Sequence, residues 1–332
     1  MADVARAAGV SVMTVSYTYS RPARVSAEAA AKVHAAAAQL AYPGPDPTAR
    51  SLRRGRVGSV GVVLAEPLTY AFNDPQAVRF LAGVADVCAA DRAGLTLLPI
   101  TGERGDVDRV AEAVVDGFVV WTTADDDPVV DAVAATGRPA AVHGGPGRGL
   151  PVVTIDNRAA ARAVGVEAFS NARRPAVLSF PLDRTRESRV LVDPDPASAT
   201  FPITRERLAG YREATSEPLT VAVTERNSAA EGARLAAALL ARPDPPDAIA
   251  AMSDELALGA LRVAPAVAIT GWDDSEAAEQ AGLTTVWQSL HDQGAACARI
   301  ALGQPPPAEP PGWRLVRRGS SRVNGPTLTR PT

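Results

Sequence analysis

Between residues 57 and 270 the chain repeats one rhythm: a short, almost uninterrupted apolar run, then a longer stretch of helical character, then another run. The runs are Val60 to Ala65, Leu95 to Ile100, Gly117 to Thr122, Pro139 to His143, Ala176 to Phe180, Leu219 to Val223, Ala248 to Met252 and Val267 to Ile269. A strand with one wet face alternates apolar and polar residues, whereas a run apolar throughout is a strand buried on both faces. Such a sheet needs cover on both sides. The stretches 75 to 90, 157 to 170, 227 to 241 and 254 to 262 supply it as helices, so the pattern predicts parallel sheets joined by right-handed crossovers. With 332 residues, the chain has room for two or three compact units. A boundary near Ile155 and Asp156 divides the alternating region into two α/β lobes.

The first 56 residues read differently. Asp3 to Ala8 fits a short helix, Gly9 supplies a turn through a backbone angle costly for other residues, and Ser11 caps a second helix with its hydroxyl. Ala5 is small where two helices must cross, and Val4, Val10 and Val15 are placed to share a core. This is the layout of a helix-turn-helix. In that geometry the start of the second helix enters the DNA major groove, which brings Val12, Met13, Ser16 and Tyr17 to base edges and lets Thr14 and Ser16 meet phosphate. A third helix begins at Ser26, with Val33, Ala37 and Leu40 on its packing face. After it, Pro43, Pro45 and Pro47 stop helix propagation, and Asp46-Pro47 starts one or two turns ending near Leu52.

Charge follows the same division. Residues 1 to 56 hold eight basic and three acidic side chains, a net of +5, so the remainder carries −8 of the overall −3. A basic head on an acidic body suits a protein that meets a polyanion at one end, because phosphate neutralisation supplies most nonspecific affinity; a solvated charged face is the plainer account. Cys88 and Cys297 lie far apart in alanine-rich stretches and are expected as reduced core thiols. His34, His143 and His291 show no metal-ligand spacing, so neither metal nor cofactor is expected. No apolar run is long enough to cross a bilayer, and Met1-Ala2-Asp3 opens no secretory leader, which predicts a cytoplasmic protein without a membrane partner.

The run from Asp3 to Ser16, then Val25-Ser26, then Ala49-Arg50-Ser51-Leu52 resembles the head and hinge of the LacI/GalR family of bacterial repressors. Arg207 to Tyr211, Ser253 to Leu261, Gly271 to Asp274 and Leu283 to Val286 match body motifs of that family in order. The resemblance implies a helix-turn-helix domain over 1–44, a hinge over 45–56, and a periplasmic-binding-protein-like body of two discontinuous lobes, 57–155 with about 287–309 and 156–286 with about 310–326. It further implies a homodimer on a palindromic double-stranded DNA operator, with Leu52 wedged into a minor-groove step and Ala49 and Arg50 beside it. Tyr17 stands where the family commonly has Arg, and Thr18-Tyr19-Ser20 replaces a more usual apolar-Leu-Asn run.

Ligands of open parallel sheets sit beyond the carboxyl ends of the strands, which puts a small-molecule effector in the cleft between lobes. Phe72, Asn73 and Trp121 follow or end strands there, and the resemblance adds Arg207, Ser253 and Asp273 as effector contacts. Ser253 replaces a common amide, and Asn227 stands where an aromatic sometimes does, so a sugar or a related metabolite remains open. The stretch from Gly144 to Gly149 lacks the lysine and serine of a phosphate loop and reads as a flexible surface loop; Asp125-Asp-Asp127 caps the next helix. No nucleophile, base and orienting partner form a motif, so the reading is a ligand-responsive transcriptional regulator, a repressor, and not an enzyme. The alternative is a small-molecule binding protein whose head no longer reads DNA.

Overall fold

The computed structural model describes residues 1–44, 56–65, 71–102 and 105–321. The chain divides into two units, Met1–Gly58 and Ser59–Thr332.

The first unit is built on three helices, α1 (Ala2–Ala8), α2 (Val12–Ser20) and α3 (Ala27–Gln39). Gly9 ends α1 in the left-handed region at φ 65°, its N–H returning to the carbonyls of Ala5 and Arg6. Ser11 starts α2 by accepting from the Thr14 N–H at 3.0 Å, and Ser26 starts α3 by accepting from the Ala29 N–H at 3.2 Å. Val4, Ala5, Val15, Val33, Ala36 and Ala37 form the core, with Val10 half-buried against it. Leu40 is not part of that face. Helix α3 ends before it, the Tyr42 N–H returns to the Ala37 carbonyl at 2.8 Å, and Leu40 is left 47% exposed.

The second unit holds two five-stranded sheets. The first has the order β2-β1-β3-β4-β5, from β1 (Ser59–Leu64), β2 (Gly94–Pro99), β3 (Gly117–Trp121), β4 (Ala140–His143) and β5 (Val152–Val153), all parallel. Its helices are α4 (Pro75–Ala90), α5 (Gly105–Ala111) and α6 (Pro128–Ala135). The second sheet has the order β10-β9-β6-β8-β7, from β6 (Pro175–Ser179), β7 (Arg189–Val192), β8 (Thr220–Val223), β9 (Ala248–Ala251) and β10 (Ala268–Thr270). Around it lie α7 (Asn157–Phe169), α8 (Pro202–Glu213), α9 (Ala229–Leu240), α10 (Asp254–Val263) and α11 (Glu276–Gln280). Sheet order with β1 and β6 inside matches doubly wound halves. One strand departs from the parallel pattern: β7 runs antiparallel to β8 at the edge, and its side chains alternate between half-buried and exposed, so no continuous apolar run marks it.

The chain passes between the lobes more than once. After β5 it enters α7, which packs on α8 and β9 of the second lobe. Strand β11 (Thr285–Gln288) runs beside the second sheet through bridges at Thr270 to Thr284 and Asp273 to Trp287. Helix α12 (Leu290–Ala301) then returns to pack on α4, β3 and β4, and β12 (Trp313–Val316) comes back to pair antiparallel with β11. The α4–α12 contact is close enough to require glycine on each side: a Cβ on Gly83 would sit 1.9 Å from the His291 carbonyl oxygen, and one on Gly294 would sit 2.1 Å from that of Phe80.

Candidate functional site

On the first unit, α2 presents its N-terminal end to solvent. Val12 is 49% and Met13 59% exposed, two adjacent apolar side chains facing solvent at the start of the helix. Thr14, Ser16 and Tyr17 are half-buried on the same helix. The Thr14 hydroxyl sits 2.9 Å from that of Ser11, and Arg21 lies over the Tyr17 ring at 5.9 Å, adding a cation to this face. The Thr18-Tyr19-Ser20 run faces inward or is used within the helix. Thr18 is buried and donates to the Thr14 carbonyl, Ser20 donates to the Ser16 carbonyl, and Tyr19 packs edge-on against His34 and Tyr42. Ala49, Arg50 and Leu52 lie outside the described residues.

In the second unit a cavity enclosing about 100 Å³ lies between the lobes. Its apolar wall includes Trp121, Phe180, Phe201, Ile203 and Leu290, and its polar wall Asp74, His143, Asn157, Arg207, Asn227, Asp273 and Gln288. Of the residues expected at an effector site, Trp121, Arg207 and Asp273 line it. Phe72 and Asn73 do not: Phe72 is 57% exposed, and Asn73 borders an outer groove with Arg186 and Glu225. Their neighbour Asp74 reaches the cavity instead, since it caps α4 by accepting from the Gln76 N–H at 2.9 Å and thereby turns inward. Ser253 stands one layer back. Its hydroxyl bonds Asn227 Oδ1 and accepts from the Leu256 N–H, while Asn227 Nδ2 meets Asp74 Oδ2 at 3.4 Å across the lobes.

Arg207 is held from all sides. Its Nε donates to Asn157 Oδ1 at 2.9 Å, Nη1 donates to the Met252 carbonyl at 2.6 Å, and the guanidinium covers the Trp272 ring. Burial lowers its pKa to about 10, opposed by the nearby Asp273 charge, so it remains a cation at neutral pH. Among the described residues Arg207 and Asp273 form no direct ion pair. Asp273 adopts φ 112° and Asp274 φ 52°, two successive backbone angles in the region that favours glycine. The Asp273 N–H bonds the Val286 carbonyl at 2.7 Å and pins the strained turn. Such strain persists only where surroundings over-determine it, and it gathers at functional sites. Burial raises the Asp273 carboxyl well above the usual carboxylate range, with the Asp254 charge adding to it and Arg207 opposing.

Trp121 is only 8% exposed: His143 stacks on it 7° from parallel at 4.7 Å, and Phe80, itself 4.9 Å from His143, leans on it at 4.4 Å, so the three rings form one cluster. Gly144 and Gly145, read from sequence as part of a surface loop, are buried. A Cβ on Gly144 would meet Ile203 at 2.3 Å, and one on Gly145 would meet Thr123 Oγ1 at 2.5 Å. The 125–127 aspartates do more than cap. Asp127 starts α6 through the Val129 N–H and lies 3.6 Å from Arg184, Asp125 pairs with Arg205, and the Asp125 N–H bonds the Thr200 carbonyl at 2.8 Å, all across the lobes. Asp74, His143, Asn157 and Gln288 were not singled out from sequence as ligand contacts. Of these only Asp74, followed by Pro75, stands in a local pattern, and that pattern is a helix start.

The sequence profile described as "Bacterial regulatory proteins, lacI family" matches residues 1–44. Over a longer span, the HTH-type transcriptional regulator IpsA of Corynebacterium glutamicum is 36% identical over 312 residues, covering 87% of this chain and 86% of that protein. The HTH-type transcriptional regulator Rv3575c of Mycobacterium tuberculosis is 35% identical over 325 residues, covering 92% and 90%. A solved LacI-family regulator from Corynebacterium glutamicum has a TM-score of 0.71 at 27% identity, covering 97% of this chain and 98% of that one. The transcriptional regulator CelR–cellobiose complex has a TM-score of 0.63 at 26% identity, covering 96% and 98%. Kinship at this level makes the protein a transcriptional regulator with a DNA-binding helix-turn-helix and a ligand-binding fold, not an enzyme. The chain belongs to the lacI family of bacterial regulatory proteins.

Proposed function

We propose that the protein is a ligand-responsive repressor that binds a palindromic operator as a homodimer and takes a small-molecule effector in the cavity between its lobes. The observation that carries this reading is the buried Arg207 guanidinium, held by Asn157, Met252 and Trp272 at a cavity that also presents Asp74, Asn227 and Asp273. Desolvating a cation and two acidic side chains around a cleft is costly, and a polar ligand that completes their hydrogen bonds offsets that cost. The mixture of donors and carboxylate acceptors suits a hydroxylated metabolite, a sugar or a related compound, and the CelR relative's complex with cellobiose agrees with it. Val12, Met13, Thr14, Ser16 and Tyr17 form the reading face of α2, with Ala49, Arg50 and Leu52 in the hinge. A two-fold dimer matches the symmetry of a palindrome, and effector-driven change in the lobe angle alters how the paired heads sit on DNA. Coupling of about 1 to 3 kcal/mol suffices. The lobes extend over 57–155 with about 287–309 and 156–286 with about 310–326, and operator binding places the protein in the cytoplasm.

The test is a thermal-shift screen of metabolites on the full chain, followed by binding to promoter duplexes with and without each hit. A hit that changes duplex affinity several-fold supports the reading. Ligand binding with salt-dependent but sequence-blind duplex binding assigns the chain to the alternative, a small-molecule binding protein with a vestigial head.

A further inference from the structure

Four side chains, none more than 8% exposed, form an unbroken hydrogen-bonded chain from one lobe to the other. His143 Nε2 lies 3.1 Å from Gln293 Oε1, Gln293 Nε2 donates to Gln288 Oε1 at 3.1 Å, and Gln288 Nε2 donates to Asp273 Oδ1 at 2.7 Å. His143, Gln288 and Asp273 line the cavity; Gln293 does not. The chain follows the connection between β11 and α12, so it spans the lobes where the backbone itself crosses.

Each glutamine uses its carbonyl on one side and its amide on the other, which gives the chain a direction. Turning one amide alone sets donor against donor or acceptor against acceptor at the link between the glutamines. Only two directions are consistent throughout. In the first, neutral His143 carries its proton on Nε2 and Asp273 Oδ1 accepts. In the second, His143 carries its proton on Nδ1, and Asp273 must be an acid whose hydroxyl donates to Gln288. The other ring nitrogen decides between them. His143 Nδ1 is buried without a hydrogen-bond partner, and its ring packs against both Trp121 and Phe80. In the second direction its N–H would have only the His143 backbone itself to meet, without hydrogen-bond geometry; in the first it is a bare lone pair. Orphaned buried donors are the rarer and costlier of the two.

We propose that Gln293 is a positioning residue that fixes the hydrogen-bond direction of the ligand cavity, holding His143 in its Nε2–H tautomer and turning the Gln288 amide so that its NH2 faces Asp273. Oδ1 of Asp273 is thereby committed to Gln288, and Oδ2 is the oxygen available to a ligand. With its Nε2–H committed to Gln293, His143 offers the wall no donor. The inference deepens the reading of the cavity as an effector site and rests on it, but its test needs neither effector nor DNA.

The experiment is long-range 1H–15N correlation of the histidine rings in the full chain at neutral pH, which has three histidines to separate, with His143→Gln to assign the signal. The expected result is a single His143 tautomer protonated on Nε2, loss of that single signature in Gln293→Leu, and its return in Gln293→Glu, whose carboxylate again accepts from Nε2. A purely structural glutamine would change stability in both variants and the tautomer in neither. Wild-type His143 protonated on Nδ1 overturns the proposal, as does a folded Gln293→Leu protein with an unchanged spectrum. Should Gln293→Leu fail to fold, the wild-type tautomer and Gln293→Glu still decide the question. A failed metabolite screen leaves this measurement intact, and a wrong tautomer leaves the effector reading standing.

Discussion

The Arg207 guanidinium lies over the Trp272 indole, 3.8 Å from the ring centroid, with both side chains buried. The planar cation meets a π face above and below its edge donates to Asn157 and Met252, so its orientation is set before any ligand arrives. Asp273 follows Trp272 directly in sequence, and its strained backbone puts the carboxyl on the same cavity. One turn thus positions the platform under the donor and the acceptor beside it.

Replacing Arg207 with Lys keeps the charge but loses the plane and the fork. Loss of one charge-assisted hydrogen bond costs about 1.5 to 3 kcal/mol, so Arg207→Lys weakens binding of a screened effector by about tenfold or more. Duplex affinity without effector is unchanged. Calorimetric titration of the hit and a duplex-binding assay check the two halves, and effector affinity within twofold of wild type would remove Arg207 from the pocket's recognition role.

The α4–α12 crossing makes Gly83→Ala and Gly294→Ala severe, because the new methyl meets backbone carbonyl oxygen rather than a side chain that can swing away. Overpacking of this kind costs about 1 to 3 kcal/mol. Each variant should lower the thermal midpoint by several degrees, at about 2 to 4 °C per kcal/mol for a body of this size. A midpoint equal to wild type shows that the two helices can separate freely.

Burial lowers the His143 pKa to about 4 from 6.5, with the Gln293 hydrogen bond opposing. Between those values the unfolded chain binds a proton that the folded chain refuses. Stability from this residue is therefore complete above about pH 6.5 and is lost as pH falls towards 4. His143→Gln removes that contribution to the acid slope, so the difference in unfolding free energy between wild type and variant shrinks on acidification. Denaturant titrations at several pH values measure it, and a difference independent of pH means that His143 titrates normally.

Asp254 has the opposite sign. Burial raises its carboxyl to about 6 despite bonds from the Ser275 N–H and the Thr285 hydroxyl. The folded chain binds the extra proton between 3.8 and about 6, so this residue makes stability fall as pH rises through that window. In Asp254→Asn that loss disappears, and the same denaturant series reports it as a flatter profile on the neutral side. An identical profile in the variant would place the titration elsewhere.

If Leu52 wedges into the operator as proposed, Leu52→Ala weakens specific operator binding by tenfold or more, about 1.4 kcal/mol, because the kinked step loses its support. Effector affinity stays as it was. Gel-shift titration with operator and scrambled duplexes separates specific from nonspecific loss, and equal operator affinity in wild type and variant would take Leu52 out of the groove.

The sequence by itself determined the elements and their class. The turn at Gly9, the caps at Ser11 and Ser26, and the doubly buried strands are local consequences of backbone freedom, hydroxyl capping and side-chain periodicity, which act over a few residues. Leu40 marks the limit of that reasoning: helical spacing put it on the packing face, but the helix stopped one residue short and the chain turned away. The edge strand β7 was invisible because one of its faces is wet and its neighbour lies antiparallel. Only the tertiary structure decided which polar residues meet at the cavity. His143, Gln288, Gln293 and Asp273 are separated by up to 150 residues of chain, and of the four only Asp273 lies in a motif that marks it from sequence. What brings them together is burial of each sheet under its own helices and the return of the chain across the cleft, a long-range effect that hydrophobic pattern specifies collectively and no local motif records.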